Sequence, residues 1–361
     1  VGRVTRNFQS EAPLHPKARD VLESAFDMGW SDPRKLSTES ARANLLRNEA
    51  LESIAKRLNL HRNEIEIIGE PNLGHFLSIG GLLGQSNRLI YSAIDRSEII
   101  AISRTHESVE LPVDLSGQIS LVKLRASNPK VGDIFSLQLA NGETGVSQNT
   151  GQLIESCNGA LIACDATASG AHLQLPERWD TALFDARSWH GPSGLAILAI
   201  RNSKSWKNPL PHIGATRTPN SVSLPLTIAA AVALDAWCEE QNLVWEKVRE
   251  LNEHLRNEIK KAIPDCDIAG QLDESLPHLI SASFLYCEGE ELLRLLDAAG
   301  FSVDSGSACT ADDLQPSHVL SAMGVLTQGN VRITLPSDIT RQIIDEFLET
   351  LVRAVTSLRK P

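Results

Sequence analysis

The sequence predicts an α/β protein built on a mostly parallel sheet, and three observations carry that reading. Short apolar runs at 88–94 (RLIYSAI), 134–140 (IFSLQLA), 160–166 (ALIACDA) and 195–200 (LAILAI) are strand length, and Gly, Asn, Asp or Pro bounds each. These runs are apolar on both faces, the pattern of strands covered on both sides. Helical patterns alternate with them, which favours crossover connections and parallel pairing.

Taken in order, the first clear element is an amphipathic helix over 38–60. Leu51, Ile54, Ala55 and Leu58 form its apolar stripe at i, i+3, i+4 and i+7. The segment TGQLIESCNG follows the second of the later apolar runs, and SVSLPLTIAAAVALDAWCEEQ follows the last; both read as helices. Beyond about residue 240 the rhythm changes. A helix over 244–262 leads to a strand over 278–286, then to the helix EELLRLLDAAG with Gly300 as its stop. A short strand FSVDS, a strand over 331–335 and a closing helix over 338–358 complete the chain. The expected organisation is an N-terminal segment (1–15) packing on a small domain, a large domain (16–240) and a small α+β C-terminal domain (241–361).

The 361 residues carry a formal net charge of −11, with 42% hydrophobic and 22% charged residues. That balance is ordinary for a globular protein and argues against a nucleic-acid or membrane-surface partner. The longest apolar run, LTIAAAVAL at 226–234, is too short to span a bilayer. Residues 1–16 hold no apolar leader core, and the six cysteines (157, 164, 238, 266, 287 and 309) are scattered without a CxxC pair. A cytoplasmic, reducing location is expected, and no zinc-like Cys/His spacing supports a metal.

Three strand ends and loops concentrate candidate chemistry. LIACDATAS (161–169) ends a buried strand in Asp165, and the carboxyl ends of strands face the ligand crevice in open α/β sheets. LANGETG (139–145) places Asn141 and Glu143 after another strand. SGSACT (305–310) sets Cys309 among small residues that leave a thiol reachable. Standing alone, Asp165 reads better as a cap or turn residue and Cys309 as a free loop cysteine, and LANGETG reads also as a plain Asn-Gly turn.

In this order the segments resemble the cysteine desulfurases, pyridoxal phosphate (PLP) enzymes of the class V aminotransferase group with the fold type I architecture. GFSVDSGSACTADDLQPSHVLSAMGV (300–325) resembles the family's nucleophile loop, LANGETGVSQ its Asn-Asn-Glu-x-Gly turn, CDATAS the strand end at the cofactor ring, RTPN (217–220) its Gly-Thr-x-Asn segment and GNVRITL its substrate-carboxylate strand. The resemblance covers nearly the whole chain and implies a seven-stranded large-domain sheet and a dimer. It places Cys309 at the sulfur-accepting position, Asp165 at the ring-nitrogen partner, Arg332 at the substrate carboxylate, and Thr218 where a neighbouring subunit's phosphate is reached.

The departures fall on the cofactor. The family's Ser-x-His-Lys-x-x-Gly-Pro pattern appears here as DARSWHGP, anchored by Gly191 and Pro192. Ser188 stands at the Schiff-base lysine, Arg187 at the histidine and Asp185 at the phosphate-contacting serine. The following lysines, Lys204 and Lys207, lie beyond the next strand. A serine hydroxyl has no nitrogen with which to form an imine. Arg96 falls at the ring-stacking histidine, Ala168 at the glutamine beside the ring oxygen and Gly142 at the asparagine before Glu143. GEPNL (69–73) replaces the glycine-rich phosphate turn, with Asn72 at its threonine.

These substitutions imply a degenerate desulfurase homologue that does not hold PLP covalently. Its expected role is binding or sulfur transfer in sulfur or iron–sulfur metabolism, with a sulfur acceptor, an iron–sulfur scaffold protein or an active relative as partner, or binding of an amino-acid-like ligand near Arg332. Two alternatives are a working PLP-dependent desulfurase, with Cys309 as nucleophile and Arg332 as anchor, and a cofactor-free thiol enzyme. In the second, His190, beside Trp189, would activate Cys309.

Overall fold

The computed structural model describes residues 6–10, 13–28, 31–84, 88–214, 217–218, 223–306 and 316–359. In chain order the first half comprises β1 (Asn7–Phe8), α1 (Pro16–Met28), α2 (Thr38–Arg57), β2 (Ile65–Ile68), α3 (Pro71–Gly80), β3 (Leu89–Ser92), α4 (Ser97–Ser103), β4 (Ser108–Leu111), α5 (Leu121–Ala126), β5 (Ile134–Gln138) and α6 (Thr150–Glu155). The second half comprises β6 (Leu161–Asp165), β7 (Thr181–Asp185), β8 (Ala196–Ile200), α7 (Leu224–Ala262), β9 (Cys266–Ile268), β10 (Leu279–Phe284), α8 (Gly289–Ala298), β11 (Ser302–Val303), α9 (His318–Met323), β12 (Val331–Thr334) and α10 (Arg341–Leu358).

A seven-stranded sheet in the order β2-β8-β7-β6-β5-β3-β4 forms the centre of the fold. Strands β7, β6, β5, β3 and β4 pair in parallel, whereas β8 is antiparallel to both β7 and β2. The α/β reading with a mostly parallel sheet therefore holds. Strands β5, β7 and β8 are buried at every position, as expected for strands covered on both faces. One face packs against a cluster that includes Leu51, Ile54, Phe135, Phe184 and Trp237; the other packs against Leu77, Ile99 and Trp206.

A three-stranded antiparallel sheet, β12-β10-β9, has its own core with Leu255, Ile280, Phe301, Ile333 and Phe347. Strand β1 pairs in parallel with β11, and Phe8 joins this second core through edge contacts with Phe347 and stacking on Phe301. Two separate helices were expected before and after residue 240. Helix α7 instead runs unbroken for 39 residues, because Gln241, Asn242 and Leu243 include no helix breaker. Its first half packs in the first core, and its second half contributes Val248, Leu251, Leu255 and Ile259 to the other. Among the described residues, no helix is long and apolar enough to cross a membrane.

The turn after β7 is held by packing on α7. Asp185 caps a one-turn 3-10 helix over Ala186–Trp189 by accepting from the Arg187 N–H, and His190 ends it in the left-handed region at φ 58°. The fully buried Trp189 donates its indole N–H to the Ala230 carbonyl of α7 at 3.2 Å. Gly191 follows at a close approach: a Cβ there would lie 2.7 Å from the Ala186 carbonyl and 3.0 Å from its Cβ. Gly191→Ala is therefore expected to lower stability by about 1–3 kcal/mol, the range for overpacking in a filled site. Thermal unfolding should show this as a Tm several degrees below wild type; an unchanged Tm would show that the turn relaxes freely.

Candidate functional site

Strands β5, β6 and β7 end at one crevice, which opens into a cavity of about 580 Å³. Gln138, Asp185 and the residues just beyond these strand ends form its floor, and the N-terminal residues Asn7, Gln9, Ser10 and Pro13 lie along it. The opposite wall comes from Arg332 and Thr334 on β12 and from Trp237, Val244, Trp245 and Val248 on α7. The α7 residues recur at i, i+7, i+8 and i+11, one face of a helix. Strand β12 alternates: Val331 and Ile333 are buried in the second core, while Arg332 and Thr334 point to the cavity.

Most of the expected site residues meet here. Arg96, Asn141, Asp185, Arg187, Ser188 and Arg332 all line the cavity, and Asp165 meets it through Arg96. Ser188 donates its hydroxyl to the Asp185 carbonyl at 2.7 Å. Gly170 makes room for it, since a Cβ there would approach the Ser188 Oγ to 2.1 Å. Asn141 is buried and tied down: its amide donates to the Ile94 carbonyl, and its oxygen accepts from the Glu143 and Thr144 N–H groups. Among the described residues no lysine lines the cavity.

The charges sort into local pairs. Arg187 grips Asp185 through Nε at 3.0 Å and Nη2 at 2.7 Å. Arg96 binds Asp165 at 3.2 Å. Gly142 permits that placement, because a Cβ there would stand 3.1 Å from the Arg96 Nη2. Arg332 pairs with Asp304 at 2.7 Å and also reaches the Ser10 hydroxyl at 3.3 Å. The same Asp304 carboxylate accepts from the Ser10 N–H at 2.8 Å.

Other expected residues stand apart. Asn72 is exposed in the first turn of α3, where its N–H caps onto Glu70, and it is not among the cavity residues. Thr218 is buried without lining the cavity, and Trp189 is buried beneath the turn. His190 does line the cavity, and burial lowers its imidazole below the usual range. Cys309 lies outside the described residues; the segment leading to it is anchored where the Gly306 N–H meets the Asn330 side-chain oxygen at 2.8 Å. Burial pushes the Cys157 and Cys164 thiols up, to about 12 for Cys157, which leaves them inert.

Several residues that sequence reasoning passed over belong to the site. His75 of α3 is buried beside Asp165, and burial lowers its imidazole. Burial also pushes the Asp165 carboxyl up, but His75, Arg96 and two hydrogen bonds from Thr167 outweigh it and hold the group below the ordinary carboxylate value. His172 stacks on Trp245 at 4.0 Å between ring centroids, meets Trp237 edge-on at 5.0 Å and lies 5.8 Å from His278. Burial lowers both imidazoles, that of His278 to about 4. Among the described residues no group of three or more His, Cys, Asp or Glu side chains is arranged to hold a metal ion.

The aminotransferase class-V family model matches residues 78–347. The chain is 25% identical over 373 residues to the cysteine desulfurase IscS of Dictyoglomus turgidum, spanning 98% of this chain and 94% of that protein. It is 28% identical over 295 residues to a cysteine desulfurase of Klebsiella pneumoniae, spanning 77% of this chain and 74% of that protein. Among solved structures, a NifS-like protein superposes with a TM-score of 0.87 at 22% identity, covering 97% of this chain and 99% of that one. A NifS-like protein from Rickettsia africae gives a TM-score of 0.83 at 18% identity, with 96% and 98% covered. The fold is that of these proteins, the fold type I architecture.

Asp95, wholly buried at the cavity floor, carries a pH signature. Burial raises its carboxyl to about 7, against the hydrogen bond it accepts from the Ser92 N–H. The unfolded chain releases that proton near pH 4, so between about pH 4 and 7 the native state binds more protons. Stability therefore falls as pH rises through this window, by up to about 1.4 kcal/mol per pH unit. Denaturant titrations of wild type and Asp95→Asn at pH 5, 6 and 7 should show wild type losing stability relative to the variant as pH rises. A constant difference would count against a protonated Asp95.

Proposed function

We propose that this chain, which belongs to the aminotransferase class-V family, keeps the family's fold without holding PLP covalently, and works as a binding or sulfur-accepting protein. The observation that carries the reading is Ser188. It lines the cavity, the sequence resemblance aligns it with the family's lysine, its hydroxyl is engaged by the Asp185 carbonyl, and no described lining residue offers a lysine amine.

The residues present do not fit PLP. Asp185 stands where the phosphate dianion would be held, and two unit charges about 4 Å apart repel by about 4 kcal/mol at an effective dielectric near 20. Arg187 already compensates that carboxylate. Asp165, the partner a pyridinium nitrogen would need, is committed to Arg96. Arg96 occupies the ring-stacking position and offers a cation in place of an imidazole face.

Cys309 remains as the sulfur acceptor of this reading. Its thiolate would take the terminal sulfur of a donor protein's persulfide as the donor thiolate leaves, which needs no cofactor. The donor or acceptor is a protein of sulfur or iron–sulfur metabolism, and the assembly is a homodimer or a heterodimer with an active relative. The location is cytoplasmic, and the large and small domains divide near residue 240, inside α7. The curated relatives favour a second reading, a working desulfurase in which Cys309 is the nucleophile and Arg332 the substrate anchor.

Two measurements separate these readings. Added PLP followed by borohydride reduction and peptide mapping should label residue 188 in Ser188→Lys at most, and no cavity residue in wild type. Cysteine-dependent sulfide release by wild type that follows added PLP would establish the second reading instead. For the sulfur role, mass spectrometry after incubation with a competent desulfurase and cysteine should find one extra sulfur on Cys309, absent in Cys309→Ser. A Cys309 that stays unmodified would remove the transfer role.

A further inference from the structure

We infer that the cavity is a receptor for an uncharged small molecule rich in hydrogen-bond acceptors, received by donors on β12 and α7. The inference deepens the proposed binding role of the same cavity by naming the ligand class, and it rests on that reading for the cavity being used at all.

The first ground is charge. Each arginine lining the cavity has its own carboxylate: Arg96 with Asp165 at 3.2 Å, Arg187 with Asp185 at 2.7 Å and Arg332 with Asp304 at 2.7 Å. Burial lowers the imidazoles of His172, His190 and His278, and the fourth lining imidazole, His318, is engaged through Nε2 at the Asp95 carbonyl at 2.9 Å. Glu98 and Glu143 also line the space. A carboxylate or phosphate entering here finds each guanidinium already neutralised by a carboxylate, so it gains a full charge pair only by displacing one, although the Arg332 Nε–H stays open.

The second ground is a set of buried polar atoms without hydrogen-bond partners among the described residues. Trp237 Nε1, Arg332 Nε, Thr334 Oγ1 and His172 Nδ1 are of this kind, as is the acceptor Glu143 Oε1, and all five side chains line the cavity. The first two are donors only. Buried polar groups without partners are rare and costly, so several at one cavity mark a place where a partner is received. They are also contiguous. Trp237 touches His172, His172 approaches His278, and the His278 carbonyl accepts from the Leu335 N–H at the end of β12. A ligand with carbonyl, amide or ring-nitrogen acceptors satisfies this row without disturbing the ion pairs.

Matched probes that differ in charge test the inference: nicotinamide against nicotinate and benzamide against benzoate, by ligand-observed NMR titration of the full chain. None carries an aldehyde, so the result is independent of whether PLP can be held covalently. The neutral member of each pair should bind at least tenfold more tightly, and Trp237→Phe and Thr334→Val should each weaken it severalfold. Asp304→Asn frees Arg332 while keeping an acceptor for the Ser10 N–H, and should shift the preference toward the anion by tenfold or more. Circular dichroism checks that the variants fold, and Asp304→Asn gives a gain that misfolding cannot mimic. Equal or tighter binding of the anions by wild type would overturn the inference, as would no saturable binding of either neutral probe. PLP labelling of wild type alongside neutral-probe preference would instead fault only the covalent part of the proposed function.

Discussion

A carboxylate withdrawn from water must be compensated, and at this crevice two are compensated from within the chain. Asp165 and Asp185 end adjacent parallel strands, β6 and β7, and are almost fully buried. Leaving either uncompensated would cost several kcal/mol. Arg96 and Arg187 meet that demand, and the surrounding sequence adapts to them. Gly142 clears space for the Arg96 guanidinium, while the 3-10 turn after β7 aims Arg187 back at the carboxylate two residues before it. A crevice whose anions are matched by its own cations has little electrostatic pull on a charged guest.

The same logic extends to Arg332. Arg332 is held by Asp304 across an isolated bridge between the residue after β11 and β12, and Ser10 from the N-terminal segment bonds both partners. A new carboxylate takes the same Nη2 only by displacing Asp304, so that exchange gains little. The cavity therefore differs from a free anion site by the pairing of its arginines rather than by their absence.

Much of this was legible in the sequence, for physical reasons that also mark the limit. Apolar runs flanked by turn residues located β3, β5, β6 and β8, because burial on both faces leaves a compositional trace. Strands β2 (Ile65–Ile68), β4 (Ser108–Leu111) and β9 (Cys266–Ile268) left little trace, being short and at sheet edges. The order of motifs brought Asp165, Asp185, Arg187, Ser188 and Arg332 to one place, since the strand ends of one sheet must share a crevice. The pairings were not legible. Asp304 and Arg332 are 28 positions apart and meet through strand register, as do His172 and the α7 tryptophans through packing. The spacing of Trp237, Val244, Trp245 and Val248 was the available signal, but a single apolar helix face reads as core until the space opposite it is known.

Fold and chemistry are separable here because the turn that displays residue 188 is not anchored by residue 188. Trp189 fixes it through complete burial and its bond to α7, Gly191 through close backbone approach, and Asp185 through its cap. These contacts belong to the first core and remain whatever side chain occupies the neighbouring position. On the proposed reading, a lysine there would still stand beside Asp185 paired with Arg187, so restoring the amine alone would not restore the field a phosphate-bearing aldehyde requires. In the proposed reading the loss is distributed: one nitrogen is missing, and the charges around its place have closed on one another.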